Sequence, residues 1–137
     1  MKGICVTVIL AVTSFACSKD ATVNVKPGYD YSIDQTRLCF CPGSGDSARI
    51  YVVADTIFGA ISLSDNTPLT ISQRTRFRTI KGLLDEMARC DTSIFNIEVR
   101  YDSVYGFPAW LSIYPKLSSG LYDASLAYST HNYAKYK

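Results

Sequence analysis

The chain has 137 residues, of which 47% are hydrophobic and 19% charged, and its 14 Lys and Arg against 12 Asp and Glu leave a formal net charge of +2. Such a chain is one small domain able to bury about two-thirds of its unfolded surface, which excludes a disordered tail and a multi-domain protein. Nucleic acid is excluded as a partner because its binding proteins carry a marked basic excess, and five cysteines are too few for a disulfide scaffold.

The N-terminus reads as an address. Lys2 supplies a positive charge, residues 4–12 carry none, and Ser14 and Ala16 place small side chains three and one positions before Cys17. This is the layout of a signal peptide over residues 1–16. Its apolar run is too short to span a hydrocarbon core, which needs about 20 residues in helix. Ala16-Cys17 followed by polar residues also resembles a bacterial lipoprotein box, with Ser14 where Leu is usual, and both readings cut the same bond. An acylated Cys17 would anchor an exported protein to the membrane of the cell envelope, on the periplasmic side of the outer membrane in a host that has two. Residues 17–28 carry Lys, Asp, Asn, Pro and Gly without an apolar period and form a tether, and residues 29–137 are the folded domain.

Residues 29–41 open that domain as a strand, and residues 50–53 and 57–63 form a hairpin around Asp55 and Thr56. Residues 65–75, polar and containing Pro68, read as a loop. Thr79 is a helix N-cap followed by Ile80, Leu83, Leu84, Met87 and Ala88 at i, i+3, i+4, i+7 and i+8, a stripe that must lie on the sheet. Gly82 in the first turns costs up to about 1 kcal/mol of propensity, so packing has to hold this helix. Phe95, Ile97, Val99 and Tyr101 alternate with Asn96, Glu98 and Arg100 as a half-buried strand. Gly106 and Pro108 interrupt it, and Ala109, Leu111 and Ile113 then alternate with Trp110, Ser112 and Tyr114 in the second arm of a hairpin. Ala124, Leu126 and Tyr128 mark a last strand. The fold class expected is α+β, a single antiparallel β-sheet of about five strands with one covering α-helix.

Several of these segments, in this order, resemble one bacterial family. Cys-Phe-Cys-Pro at 39–42, a hairpin, Arg-Phe-x-Thr-Ile-x-Gly-Leu-Leu-Asp at 76–85, Val-Arg-Tyr-Asp at 99–102 and Tyr-Gly-Phe-Pro at 105–108 look like the exported domain of unknown function 6174. Tyr29, Tyr31 and Asp123 are in keeping with it, so the resemblance runs over residues 29–133. It implies a small secreted or lipid-anchored α+β protein without an assigned activity or catalytic residues. The chain departs from the family in residues 55–59, where a short turn is usual, and in possessing Cys90.

With Cys5 in the signal peptide and Cys17 at the anchor, Cys39, Cys41 and Cys90 remain as disulfide candidates in an exported compartment. Two apart in a strand, Cys39 and Cys41 would lie about 6.6 Å apart with parallel side chains, so bridging them needs a bend such as Pro42-Gly43 can supply. A bridge from the strand to Cys90, at the flank of the helix stripe, is the preferred pairing; closing its loop of about 50 residues is worth roughly 4 kcal/mol. The functional alternative for the same residues is thiol-disulfide exchange, although no C-x-x-C stands at a helix N-terminus to lower a thiol pKa. A metal site built from Cys39, Cys41, Cys90 and His131 lacks the C-x-x-C spacing that lets two sulfurs converge on zinc. No metal or cofactor is therefore expected.

Other chemistry is thinly represented. His131 is the single histidine, near the C-terminus beside Asn132 and Tyr133, and no triad or zinc motif forms around it. Asp85 and Glu86 read as a solvated helix face, and Gly43-Ser44-Gly45 as a turn. Arg74, Arg76 and Arg78, with Lys81, would align if extended, either facing an anionic surface or, as preferred here, as a charged edge that deters strand pairing. Seven of the ten tyrosines follow residue 100. Aromatics suit strands, but Trp110 and Tyr114 alternate with core-facing Leu111 and Ile113 and so belong to the opposite sheet face, where they are candidate contacts for a protein or glycan partner. The function expected is a non-enzymatic, envelope-anchored binding or interaction module. Thiol-disulfide exchange is the alternative from another class, and inhibition of a secreted enzyme rests on size and fold class alone.

Overall fold

The structure is a computed structural model and describes residues 30–136; the expected signal peptide, Cys17, the tether and Tyr29 lie outside the described residues. Strands β1 (Tyr31–Cys39), β2 (Ser47–Val53), β3 (Thr56–Ser62), β4 (Phe95–Tyr101), β5 (Pro108–Pro115) and β6 (Leu126–Lys135) form one antiparallel sheet in the order β3-β2-β1-β6-β5-β4. Helices α1 (Ile71–Arg74) and α2 (Ile80–Arg89) connect β3 at one edge to β4 at the other. That connection has to cross the sheet, and it crosses over one face.

The expected class holds in outline, with two corrections. The sheet has six strands rather than about five: every segment read as a strand joins it, and the last, running to Lys135, inserts between β1 and β5. The helical part is two short helices rather than one. The extra helix, α1, arises inside the segment expected as a loop, where Thr70 and Gln73 form a reciprocal capping box: the Thr70 hydroxyl accepts the Gln73 N–H and Gln73 Oε1 accepts the Thr70 N–H. Four residues are too few to show an apolar period.

Alternation sorts the strands into two faces. Ile33, Ala48, Ile50, Val52 and Ala60 join Phe77 in one core cluster, and Leu111, Ile113 and Tyr128 join Leu83 in a second, all on the face that the helices cover. The α2 stripe is narrower than the spacing suggests. Leu83 is fully buried with Met87 packed against its cluster and Ile80 reaches the first cluster, whereas Leu84 is 43% exposed and Ala88 is exposed, since no described helix covers that flank. Gly82 has a local reason: a Cβ there would stand 3.2 Å from Thr79 Oγ1, the oxygen that caps the helix by accepting the Gly82 N–H. The long 55–59 stretch does not break the β2–β3 hairpin. Ala54 and Asp55, both with positive φ, make a two-residue turn, and a register shift opposite Tyr51 and Val52 absorbs Phe58 as a bulge.

One polar side chain joins the layers. Gln35, wholly buried on β1, accepts the Arg78 N–H at Oε1 (2.8 Å) and donates from Nε2 to the Arg78 carbonyl (3.0 Å) and to Thr130 Oγ1 (3.2 Å). Four residues back on the same face of β1, the Tyr31 hydroxyl accepts the Ile80 N–H at 3.0 Å. The approach to α2 and its first turn are thereby pinned to the centre of the sheet. Gln35→Leu should cost about 2–4 kcal/mol, because it leaves a backbone N–H and C=O buried without partners. Thr130→Val, which removes one acceptor, should cost less than half as much; urea unfolding of the two variants measures the difference.

Candidate functional site

The face turned away from the helices carries the chemistry. From β4 come Asn96, Glu98 and Arg100, from β5 Trp110, Ser112 and Tyr114, from β6 Ser129 and His131, from β1 Asp34 and Thr36, and from β2 Arg49 and Tyr51, as the registers require. Among the described residues, neither helix packs on this face; from the 65–75 segment Leu69 packs into the first core cluster on the other side, while Asp65 and Thr67 border a cleft with Thr36, Ser47 and His131, away from Trp110 and Tyr114. Trp110 and Tyr114 therefore sit where their alternation with Leu111 and Ile113 places them.

These two rings belong to an ordered array. The Arg100 guanidinium lies over the Trp110 ring, 5.5 Å from its centre. The Tyr114 hydroxyl donates to Glu98 Oε1 at 3.0 Å, and this bond to a carboxylate raises the phenol's pKa. Farther across the face, Arg49 grips Asp34 with two bonds of 2.7 and 2.8 Å, and Asn132 Nδ2 adds a third at 2.9 Å. Burial pushes the Asp34 carboxyl up, but the bonds from Arg49 and Asn132 and the Arg49 charge outweigh it, so its pKa falls below the ordinary value. The fork fixes Asp34 as an ionised, oriented group at the middle of the open face.

The cysteines do not pair as preferred from sequence. Cys39 and Cys41 form the disulfide, with Cα atoms 5.2 Å apart, and Cys90 is a free thiol. The required bend is present: β1 ends at Cys39, and Gly43, with φ +82°, turns the chain toward β2. Gly43 also has no room for a Cβ, which would fall 2.4 Å from Arg76 Nη1 and 2.6 Å from Asp46 Oδ2, the atoms of an ion pair closed over the turn. A bridge across one residue closes a ring worth about 1.5 kcal/mol, far less than the strand-to-helix loop would give. Cys90, at the C-cap of α2, packs into the second cluster; burial raises its thiol pKa, with Asp91 and Glu86 adding to the shift.

The remaining candidates are absorbed by structure. Arg74 donates to the Leu69 and Phe58 carbonyls, Arg76 pairs with Asp46, Arg78 with Glu86 and Lys81 with Asp85. Residues 74–81 contain no strand, so these cations do not line up along a sheet edge. His131 lies exposed on β6 directly opposite Asp34 in register, and its charge adds to those that hold the Asp34 carboxyl down. Among the described residues, no group of three or more His, Cys, Asp and Glu side chains is placed to hold a metal ion, and no helix is long and apolar enough to cross a membrane. What the sequence reading missed is the Asp34–Arg49–Asn132 fork, whose members lie 15 and 98 residues from Asp34.

A family of unknown function, DUF6174, matches the chain over residues 19–135. The chain belongs to this family. No curated protein and no solved structure matches it. The DUF6174 motifs quoted above have structural roles here. Phe77 fills the first core cluster and Thr79 caps α2, while Asp102 Oδ1 accepts the Val104 and Tyr105 N–H groups to close the β4–β5 turn. Tyr105 and Phe107 stack on Tyr133, which in turn meets Tyr31. These motifs thus build the DUF6174 fold and leave the open face to other residues.

Asp34 supplies a pH signature. Because its folded pKa is depressed, the stability it contributes is full above the ordinary carboxylate value and is lost as pH falls through the folded one. Asp34→Asn should cost about 1–2 kcal/mol at neutral pH, discounted for the half-exposed Arg49. The gap between variant and wild type should close below about pH 4, as denaturation at a series of pH values will read.

Proposed function

We propose that this protein is exported, anchored at the cell envelope through a lipid on Cys17, and acts there as a non-enzymatic binding module whose ligand is an envelope glycan. The observation that carries the reading is the array of Trp110, Arg100, Tyr114 and Glu98 on a sheet face that no described helix covers. Aromatic faces pack on the apolar C–H faces of sugar rings, while fixed carboxylate, guanidinium and hydroxyl groups bond to their rims. Charged side chains are interleaved with the rings throughout, whereas the centre of a protein–protein interface is depleted of charge. That contrast favours a sugar chain over a protein partner. A flat sheet suits an extended polysaccharide, which contacts several residues at once without a deep pocket.

The address and the face support one another, because a tether of about a dozen residues would hold the domain close to the membrane and within reach of envelope polymers. Two measurements test the two halves. The intact mass of the mature protein should show acyl chains on Cys17, and a mature N-terminus without them overturns the anchor. Retention on purified envelope polysaccharide should fall at least about tenfold for Trp110→Ala and for Tyr114→Ala, each the loss of one aromatic contact. Equal retention of folded variants overturns the glycan reading. Protein partners crosslinked in intact envelopes by wild type and lost by both variants would replace it with a protein ligand.

A further inference from the structure

The turn between β1 and β2 holds a second arrangement, independent of the open face. We infer that the Cys39–Cys41 disulfide is an exchange-active couple that takes two electrons from a dithiol, with Cys39 Sγ as the sulfur attacked, Cys41 Sγ as the leaving thiolate and Arg37 as the group that holds that thiolate.

Three observations converge. The bridge joins residues separated only by Phe40, so it staples no distant parts of the fold. Arg37 Nη1 donates to Cys41 Sγ at 3.0 Å, and no carboxylate pairs with Arg37 among the described residues. Its Nε is buried without an acceptor, an uncommon and costly state for a polar atom, and the other group its charge acts on is the neutral Tyr128 hydroxyl, so no anion competes with the sulfur for the guanidinium. A neighbouring Arg lowers a thiol's pKa, and a sulfur of lower pKa leaves faster. The third observation is access. Both cysteines are only partly buried, and between them Phe40 is 74% exposed, an apolar side chain presented where an incoming protein would dock.

The exchange balances as follows. A thiolate of the dithiol attacks Cys39 Sγ, the Sγ–Sγ bond breaks, and its electron pair goes to Cys41 Sγ, where Arg37 holds the new charge. The second thiolate of the donor attacks the donor sulfur of the mixed disulfide and expels Cys39 Sγ, which takes a proton from solvent. The donor is left as a disulfide and the couple as one thiol and one thiolate. Cys90, with its thiol pKa raised by burial and packed against the second cluster at the C-cap of α2, takes no part.

The test uses the full chain carrying Cys5→Ser, Cys17→Ser and Cys90→Ser, so that only the couple reports. With excess dithiothreitol, alkylation-quenched mass spectra should show reduction about three- to tenfold slower in Arg37→Gln and near the parent rate in Arg37→Lys, from a leaving-group pKa raised by one to two units. Ultraviolet titration of the reduced parent should show one thiolate forming below the ordinary thiol value of about 8.5. Cys41→Ser should lose it and Cys39→Ser should keep it. Absence of a low-titrating thiolate in the parent overturns the proposal. So does an unchanged rate in folded Arg37→Gln, or loss of the sheet's circular dichroism when the parent is reduced.

Discussion

Everything in this fold hangs on how one amide on the central strand β1 meets the chain that crosses the sheet. Gln35 is buried where an apolar residue would be ordinary, and its carboxamide is spent on the N–H and C=O of Arg78 and on Thr130. A crossover from one sheet edge to the other has unpaired backbone groups as it enters its helix, and burying them without partners would cost several kcal/mol. Gln35 and the Tyr31 hydroxyl satisfy them from below. The bonds also fix where α2 starts, and therefore which strand residues Leu83 and Phe77 cover. Two short helices could settle on a sheet in more than one way; the amide selects one.

The same crossover explains why chemistry is confined to two places. With both helices on one side, the opposite face has no apolar layer over it among the described residues, and its strands carry charged, hydroxyl and aromatic groups instead. Order on that face comes from cross-strand pairing: Arg100 over Trp110, Tyr114 to Glu98, Arg49 and Asn132 on Asp34. The disulfide turn lies outside both layers, at the end of β1, and is held by the backbone bonds from Gly45 to Arg37 and from Arg37 to Asp46. A binding face and a reactive turn can therefore coexist without competing for the core.

Much of the architecture was legible because strand alternation is a local signal. The β4–β5 hairpin and the side of Trp110 and Tyr114 could be read from period-2 patterns alone, and the Thr79 cap announced α2. The four-residue α1 could not be read, since its order comes from the Thr70–Gln73 box rather than from a stripe. The apolar period of α2 runs on to the exposed Leu84 and Ala88, because periodicity tells which residues share a side but not how much of that side is covered. The disulfide pairing is hidden from the sequence for a related reason. Strand spacing would hold Cys39 and Cys41 apart, and only the departure of the chain at Phe40 and Gly43 brings them to 5.2 Å.

By itself, the sequence determined the family, the antiparallel α+β class, the helix start and the two faces of each strand, all properties set by residues within a few positions of one another. Tertiary structure decided which strands are neighbours, that β6 closes the sheet against β1, and that Asp34, Arg49 and Asn132 meet. Pairings across some 95 residues depend on burial and on the path of the crossover, and no short-range pattern encodes them. The binding face and the Arg37-held disulfide are both products of that path. Their residue types were visible in the chain; their partners became visible only when it folded.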